Sequence, residues 1–191
     1  MQKKILTFNA PDRAGKSTLI KEIESLGKAV KVIHLGPPQW DWNNPLEDIE
    51  GHIKELLEQT EYNTLVYDRG WICRHVYSQI RDKGFDMLNA IKYLELQILR
   101  EKIECYHVIL YRPWYFSGPK NFEEVDTTST NHWETLYKME SRRKEHLAYY
   151  DFAYEFLTEH SLFPTIELKG HQRFNVNDVL KGMWTYKEEM A

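Results

Sequence analysis

The 191-residue sequence predicts one three-layer α/β domain, a five-stranded parallel sheet flanked by helices. Three observations predict it. Short apolar β-prone runs alternate with longer helical stretches along the whole chain. Such alternation implies right-handed crossovers and a parallel sheet covered on both faces. The first strand also runs straight into a Gly-Lys-Ser sequence that opens a helix.

The elements follow in order. Ile5-Leu6-Thr7-Phe8 is a β-prone run that ends in the loop residues Asn9-Ala10-Pro11-Asp12. Gly15 to Leu26 reads as a helix ending near Gly27, and Val30 to Leu35 as a second strand stopped by Gly36-Pro37-Pro38. Pro45 to Thr60 is helical in pattern. Thr64-Leu65-Val66-Tyr67 is a third strand that delivers Asp68 at its carboxyl end, and a helix from Trp71 to Arg81 follows. Asp86 to Ile103 places Met87, Ile91, Leu94 and Ile98 on one helical face. His107 to Tyr111 is the fourth strand. Residues 113–131 hold Pro, Gly, Ser, Thr and Asn without periodicity, as a lid or binding loop does. His132 to Glu159 is a long helix, Phe163 to Leu168 the fifth strand and Val176 to Tyr186 a closing helix. With no internal repeat and no low-complexity tract, residues 1–191 read as one domain with a lid at about 113–131.

Bulk properties narrow the function. A net charge of −4 argues against sequence-independent binding to long nucleic acid, which needs a basic surface. The two cysteines, Cys73 and Cys105, form no CxxC pair, so neither a disulfide framework nor a zinc site is expected. A cytoplasmic setting is the expectation, with no signal peptide and no apolar run long enough for a membrane span.

Ala10-Pro11-Asp12-Arg13-Ala14-Gly15-Lys16-Ser17 has the spacing of a GxxxxGK[ST] phosphate-binding loop, with alanine at the first glycine position. The chemistry explains the spacing. Backbone N–H groups of a tight loop cradle the α/β-phosphates, and Gly15 lets the backbone come close. Lys16 reaches the β/γ-phosphates, Ser17 can hold Mg²⁺, and the helix N-terminus adds a positive dipole end. Asp12, Arg13, Ala14, Gly15, Lys16, Ser17 and Thr18 are therefore the candidate binding set for ATP.

A second constellation is Asp68-Arg69-Gly70-Trp71-Ile72-Cys73-Arg74-His75-Val76-Tyr77-Ser78, which follows a strand and opens a helix. Asp68 can organise Mg²⁺ and its waters. Arg69 can grip an acceptor phosphate bidentately, and Tyr77 can share its helix face or pack as a core aromatic.

Phe8 to Thr18 resembles the phosphate loop of thymidylate kinases, especially the type with arginine inside the loop. The resemblance implies that Asp12 contacts the acceptor sugar and Arg13 the transferring phosphate. Asp68-Arg69 and Tyr77 are similar to that family's Asp-Arg-Tyr-x-x-Ser-x-x-Ala-Tyr pattern, with Gly70, Cys73 and Val76 at its tyrosine, serine and alanine. The family usually has Glu-Gly where this chain has Asn9-Ala10, and an arginine shortly after the second strand where this chain has none. The resemblance further implies a homodimer through helices, and an adenine-packing role for Lys169 to Asn175.

Weaker features complete the candidate set. Trp40 or Trp42 can stack on an acceptor base or pack its loop onto the body. Arg143 falls on the helical stripe of Leu136, Met139, Leu147, Tyr150, Tyr154 and Leu157, so an inward arginine seeking an anion is expected there; an ion pair or a snorkelled side chain is the alternative. Arg112 and Lys120 flank and occupy the lid.

In the favoured mechanism Arg13 and Lys16 neutralise charge on the transferring phosphoryl group, Asp12 and Arg69 hold the acceptor, and Asp68 places Mg²⁺. The acceptor is then a deoxynucleoside monophosphate. Two alternatives stay open. The acceptor can instead be a hydroxyl of a deoxynucleoside, of a polynucleotide end or of a hydroxymethylated base in DNA, with Asp12 or Asp68 as base. Or the chain can be a nucleotide-binding module without catalysis.

Overall fold

The computed structural model describes residues 2–11, 14–27, 29–35, 46–81, 86–111, 132–170 and 173–189, with the side chains of 81, 132–142 and 189 also outside the description. Asp12, Arg13, Trp40, Trp42, Arg112, Lys120 and the segment expected as a lid lie outside the described residues.

The elements run β1 (Lys4–Asn9), α1 (Lys16–Glu24), β2 (Val30–His34), α2 (Glu47–Glu58), β3 (Thr64–Asp68), α3 (Trp71–Arg81), α4 (Leu88–Arg100), β4 (Glu104–Tyr111), α5 (His132–Glu159), β5 (Thr165–Lys169) and α6 (Val176–Glu189). The five strands form one sheet in the order β2-β3-β1-β4-β5, every pair parallel. This is the α/β class that the alternation predicted. β4 starts three residues earlier than its apolar run, because Glu104, Cys105 and Tyr106 pair with Lys4, Ile5 and Leu6. That partnership is a property of the sheet, not of the local sequence.

Strand side chains alternate between two cores. Ile5, Leu65, Tyr67, Cys105 and Ile109 face α2, α3, α4 and α5. Leu6, Phe8, Val66, Val108, Leu110, Ile166 and Leu168 face α1 and α6. Central strands covered on both faces read as continuous apolar runs. β1 departs from this rule, since its Thr7 and Asn9 are fully buried polar residues.

α5 corrects one expectation. Its buried face carries His146, Tyr149, Tyr150, Ala153, Phe156 and Leu157. Leu147 and Arg143 are exposed. The buried arc is centred one position away from the stripe read from the sequence, so Arg143 falls at its solvent margin and does not point inward.

Candidate active site

The carboxyl ends of the inner strands define the site, as expected for an open parallel sheet. Phe8, Asp68 and His34 stand side by side at the ends of β1, β3 and β2. The backbone closes this row, with the Arg69 N–H donating to the Phe8 carbonyl (3.3 Å) and the Leu35 N–H to the Asp68 carbonyl (3.2 Å).

Beyond β1 the chain turns into α1. Gly15 takes the N-cap with φ 92°, a left-handed conformation that suits glycine. Among the described residues no side chain caps this end, and no acidic residue occupies the first turn. The N–H groups of the first turn and the positive end of the dipole suit an anion. Lys16 is only 6% exposed. A buried ammonium needs a partner, and its Nζ lies 2.7 Å from Asp68 Oδ1. Ser17 and Thr18 follow in the same turn and are exposed.

Asp68 is held from both sides, because His34 Nδ1 lies 3.1 Å from its Oδ2. Burial works to raise the Asp68 pKa. The hydrogen bond and charge of Lys16, joined by His34, outweigh it and keep the carboxyl below its ordinary value. An ionised, part-buried carboxylate and a serine hydroxyl in the first turn of the helix suit Mg²⁺, which takes one or two protein oxygens and leaves the rest to water and phosphate. Asp68 and Ser17 fit that ion.

Arg69 has φ 72°, unusual for a residue with a side chain. Its guanidinium lies over the Tyr77 ring, 5.9 Å from the centroid. Tyr77 in turn packs on Tyr149 of α5, with ring centroids 5.4 Å apart. Gly70 is required by close packing, since a Cβ there would lie 2.9 Å from Thr7 Cβ and Cγ2.

On the far side of the sheet, the segment after β5 is tied to α1. Glu22 accepts from the Arg173 guanidinium (3.0 Å) and from the Val176 N–H (3.2 Å). Lys169, Arg173 and Phe174 of this segment line a cavity of about 660 Å³ between β5 and α6. That volume suits a small molecule.

The structure therefore brings Gly15, Lys16, Asp68, Arg69 and Tyr77 to one end of the sheet. It does not bring Arg143 inward. His34 joins the site without having been a candidate from the sequence, where only Trp40 or Trp42 was singled out after the second strand and the arginine of the resembled family is missing. A polar residue closing a parallel strand is the signal that finds it.

No family model matches the chain, and no curated protein matches it. Solved structures do. Over 97% of the chain, polyphosphate kinase 2 from Arthrobacter aurescens matches with TM-score 0.60 and 15% identity, across 69% of its own length. A putative polyphosphate kinase 2 from Pseudomonas aeruginosa matches with TM-score 0.71 and 17% identity, and this chain spans 42% of it. The YorR protein of Bacillus subtilis, in complex with phosphorylated GDP, matches with TM-score 0.57 and 13% identity over 96% of its length. The chain shares the fold of these proteins, a parallel α/β sheet flanked by helices. At these identities the likeness extends to architecture, and the chemistry must be argued from the residues.

Proposed function

We propose that the protein is an ATP-dependent phosphotransferase acting on a nucleotide, with a deoxynucleoside monophosphate as acceptor. One observation carries this reading: Lys16 is buried at the start of α1 and paired with Asp68 at 2.7 Å. When a triphosphate binds, Lys16 exchanges a carboxylate for phosphate oxygens, and the freed Asp68 oxygen faces the cation side. Mg²⁺, held by Ser17 and Asp68, would neutralise phosphate charge. Asp12, Arg13, Ala14 and Gly15 complete the cradle in this proposal. Arg69 grips the acceptor phosphate and Tyr77 orients Arg69. Phosphoryl transfer depends mainly on such positioning and charge, so these groups suffice.

A specific observation favours a second reading, transfer to a hydroxyl. The end of β2 offers His34 hydrogen-bonded to Asp68, where a monophosphate site of the resembled type would offer arginine. The deciding experiment uses γ-labelled ATP with each deoxynucleoside, each deoxynucleoside monophosphate, and short DNA with natural or hydroxymethylated bases. Inorganic polyphosphate serves as a second donor, since two proteins of similar fold carry that name. Label on monophosphates supports the first reading, and label only on hydroxyl acceptors overturns it. ATP bound with no transfer to any acceptor leaves a binding module.

A further inference from the structure

At the carboxyl end of β1 lies a buried polar chain. Thr7, Asn9, Glu95 and His107 are each 0% exposed and Cys73 is 1% exposed. Burying so many polar groups is costly unless each finds a partner, and each does. The Asn9 amide nitrogen faces the Thr7 carbonyl (3.1 Å), Thr7 Oγ1 (2.9 Å) and the Val108 carbonyl (3.4 Å). Carbonyls only accept, which fixes the amide orientation. Thr7 Oγ1 then donates to His107 Nδ1 (2.7 Å), so the His107 proton sits on Nε2, which donates to Glu95 Oε1 (3.1 Å). Glu95 also accepts from Trp71 Nε1 (2.9 Å) and from the Leu162 N–H (2.7 Å).

In the other direction, Asn9 Oδ1 faces the Cys73 thiol (3.5 Å), and Cys73 Sγ meets the Tyr149 hydroxyl (2.8 Å). One consistent polarity satisfies every member: Tyr149 to Cys73, Cys73 to Asn9, Asn9 to Thr7, Thr7 to His107, His107 to Glu95. The chain joins β1, β4, α3, α4 and α5. It touches both segments of the site, through Asn9 before the loop and through Trp71 and Cys73 after Asp68-Arg69-Gly70.

We propose that Asn9 is a positioning residue for the phosphate loop, held in place by this one-way chain of buried hydrogen bonds. The inference rests on reading residues 10–17 as a triphosphate cradle. Its chemistry explains why a carboxamide stands here: one group must donate to three acceptors and accept from a thiol. A carboxylate of the same shape fails, because it turns the contacts with the Thr7 and Val108 carbonyls repulsive and draws the Thr7 hydroxyl proton away from His107.

The test uses Asn9→Asp, Thr7→Val and Thr7→Ser in the full chain, with Ile98→Val as a core control outside the polar chain. Each is measured for its dissociation constant for ATP·Mg²⁺ and for amide exchange at residues 14–17, at a temperature where the melting curve shows it folded. Asn9→Asp and Thr7→Val are expected to weaken ATP binding by about tenfold, the equivalent of one lost buried hydrogen bond, and to speed exchange in the loop. Thr7→Ser keeps the hydroxyl and restores both, and Ile98→Val changes neither. Binding and exchange unchanged in Asn9→Asp and Thr7→Val, or equal losses in Thr7→Ser and Ile98→Val, overturn the proposal. Wild-type protein that binds no ATP overturns the kinase reading, and loop exchange then still decides whether the chain orders residues 14–17.

Discussion

Lys16 and Asp68 form a buried ion pair at the proposed site. Each is desolvated by the fold, and each is tolerated because the other lies 2.7 Å away. Replacing Lys16 by Met removes the proposed phosphate ligand and strands the carboxylate. Phosphoryl transfer in Lys16→Met is expected to fall by roughly 10²–10³ in kcat, as for loss of one transition-state donor, and a single-turnover assay with labelled ATP checks this. Gly70 makes a second prediction at this scale. Gly70→Ala drives a methyl into Thr7, and overpacking of this kind costs about 1–3 kcal/mol. Urea unfolding should show a lowered midpoint, and an unchanged midpoint would mean that Thr7 yields to the added methyl at no cost.

Among the helices and strands, two helical glycines separate intrinsic propensity from packing. A methyl group added at Gly51 of α2 would meet nothing within 4 Å, whereas one added at Gly182 of α6 would lie 2.4 Å from Ile166 Cγ2 on β5. Alanine favours a helix over glycine by up to ~1 kcal/mol. Gly51→Ala should therefore stabilise the protein by about that amount. Gly182→Ala should destabilise it by roughly 1–3 kcal/mol, and Ile166→Ala in the same chain should recover part of the loss. Thermal melts of the three variants check both signs. α5 teaches a related lesson. The stripe read from its sequence lies one position from the buried face through His146 and Ala153, which packs on α3 and the end of β4.

For the whole molecule, the folded state should respond to ligand and to acid. ATP·Mg²⁺ at a hundred times its dissociation constant is expected to raise the melting temperature by roughly 5–10 °C, from mass action on a domain of this size. Acid acts through pairs such as Asp48, where α2 meets α3. Burial works to raise its carboxyl pKa, but two hydrogen bonds from Arg74 outweigh it and leave the folded value low. A group lowered on folding adds stability above its unfolded value, near ~4, and loses it as pH falls through the folded value. The wild-type melting temperature should drop on acidification through that range more steeply than in Asp48→Asn. The difference will be modest, because the Asp48 side chain is 47% exposed.

Local signals along the chain were enough for the alternation of strands and helices, for the parallel sheet that this alternation requires, and for the position of Gly15-Lys16-Ser17 at the first strand-to-helix turn. Period and spacing carry that information, and both are legible in one dimension. The partners of each residue came from the packed molecule alone. It set His34 beside Asp68, turned Arg143 to solvent, and ran a polar chain from Glu95 to Tyr149 past the carboxyl end of β1. Asn9 in the sequence was only a departure from the resembled pattern. Its role depends on Thr7 within its own strand, on Val108 of β4 and on Cys73 of α3. Hydrogen bonds are short-ranged and directional, so they become readable only when the fold has fixed which distant residues face each other.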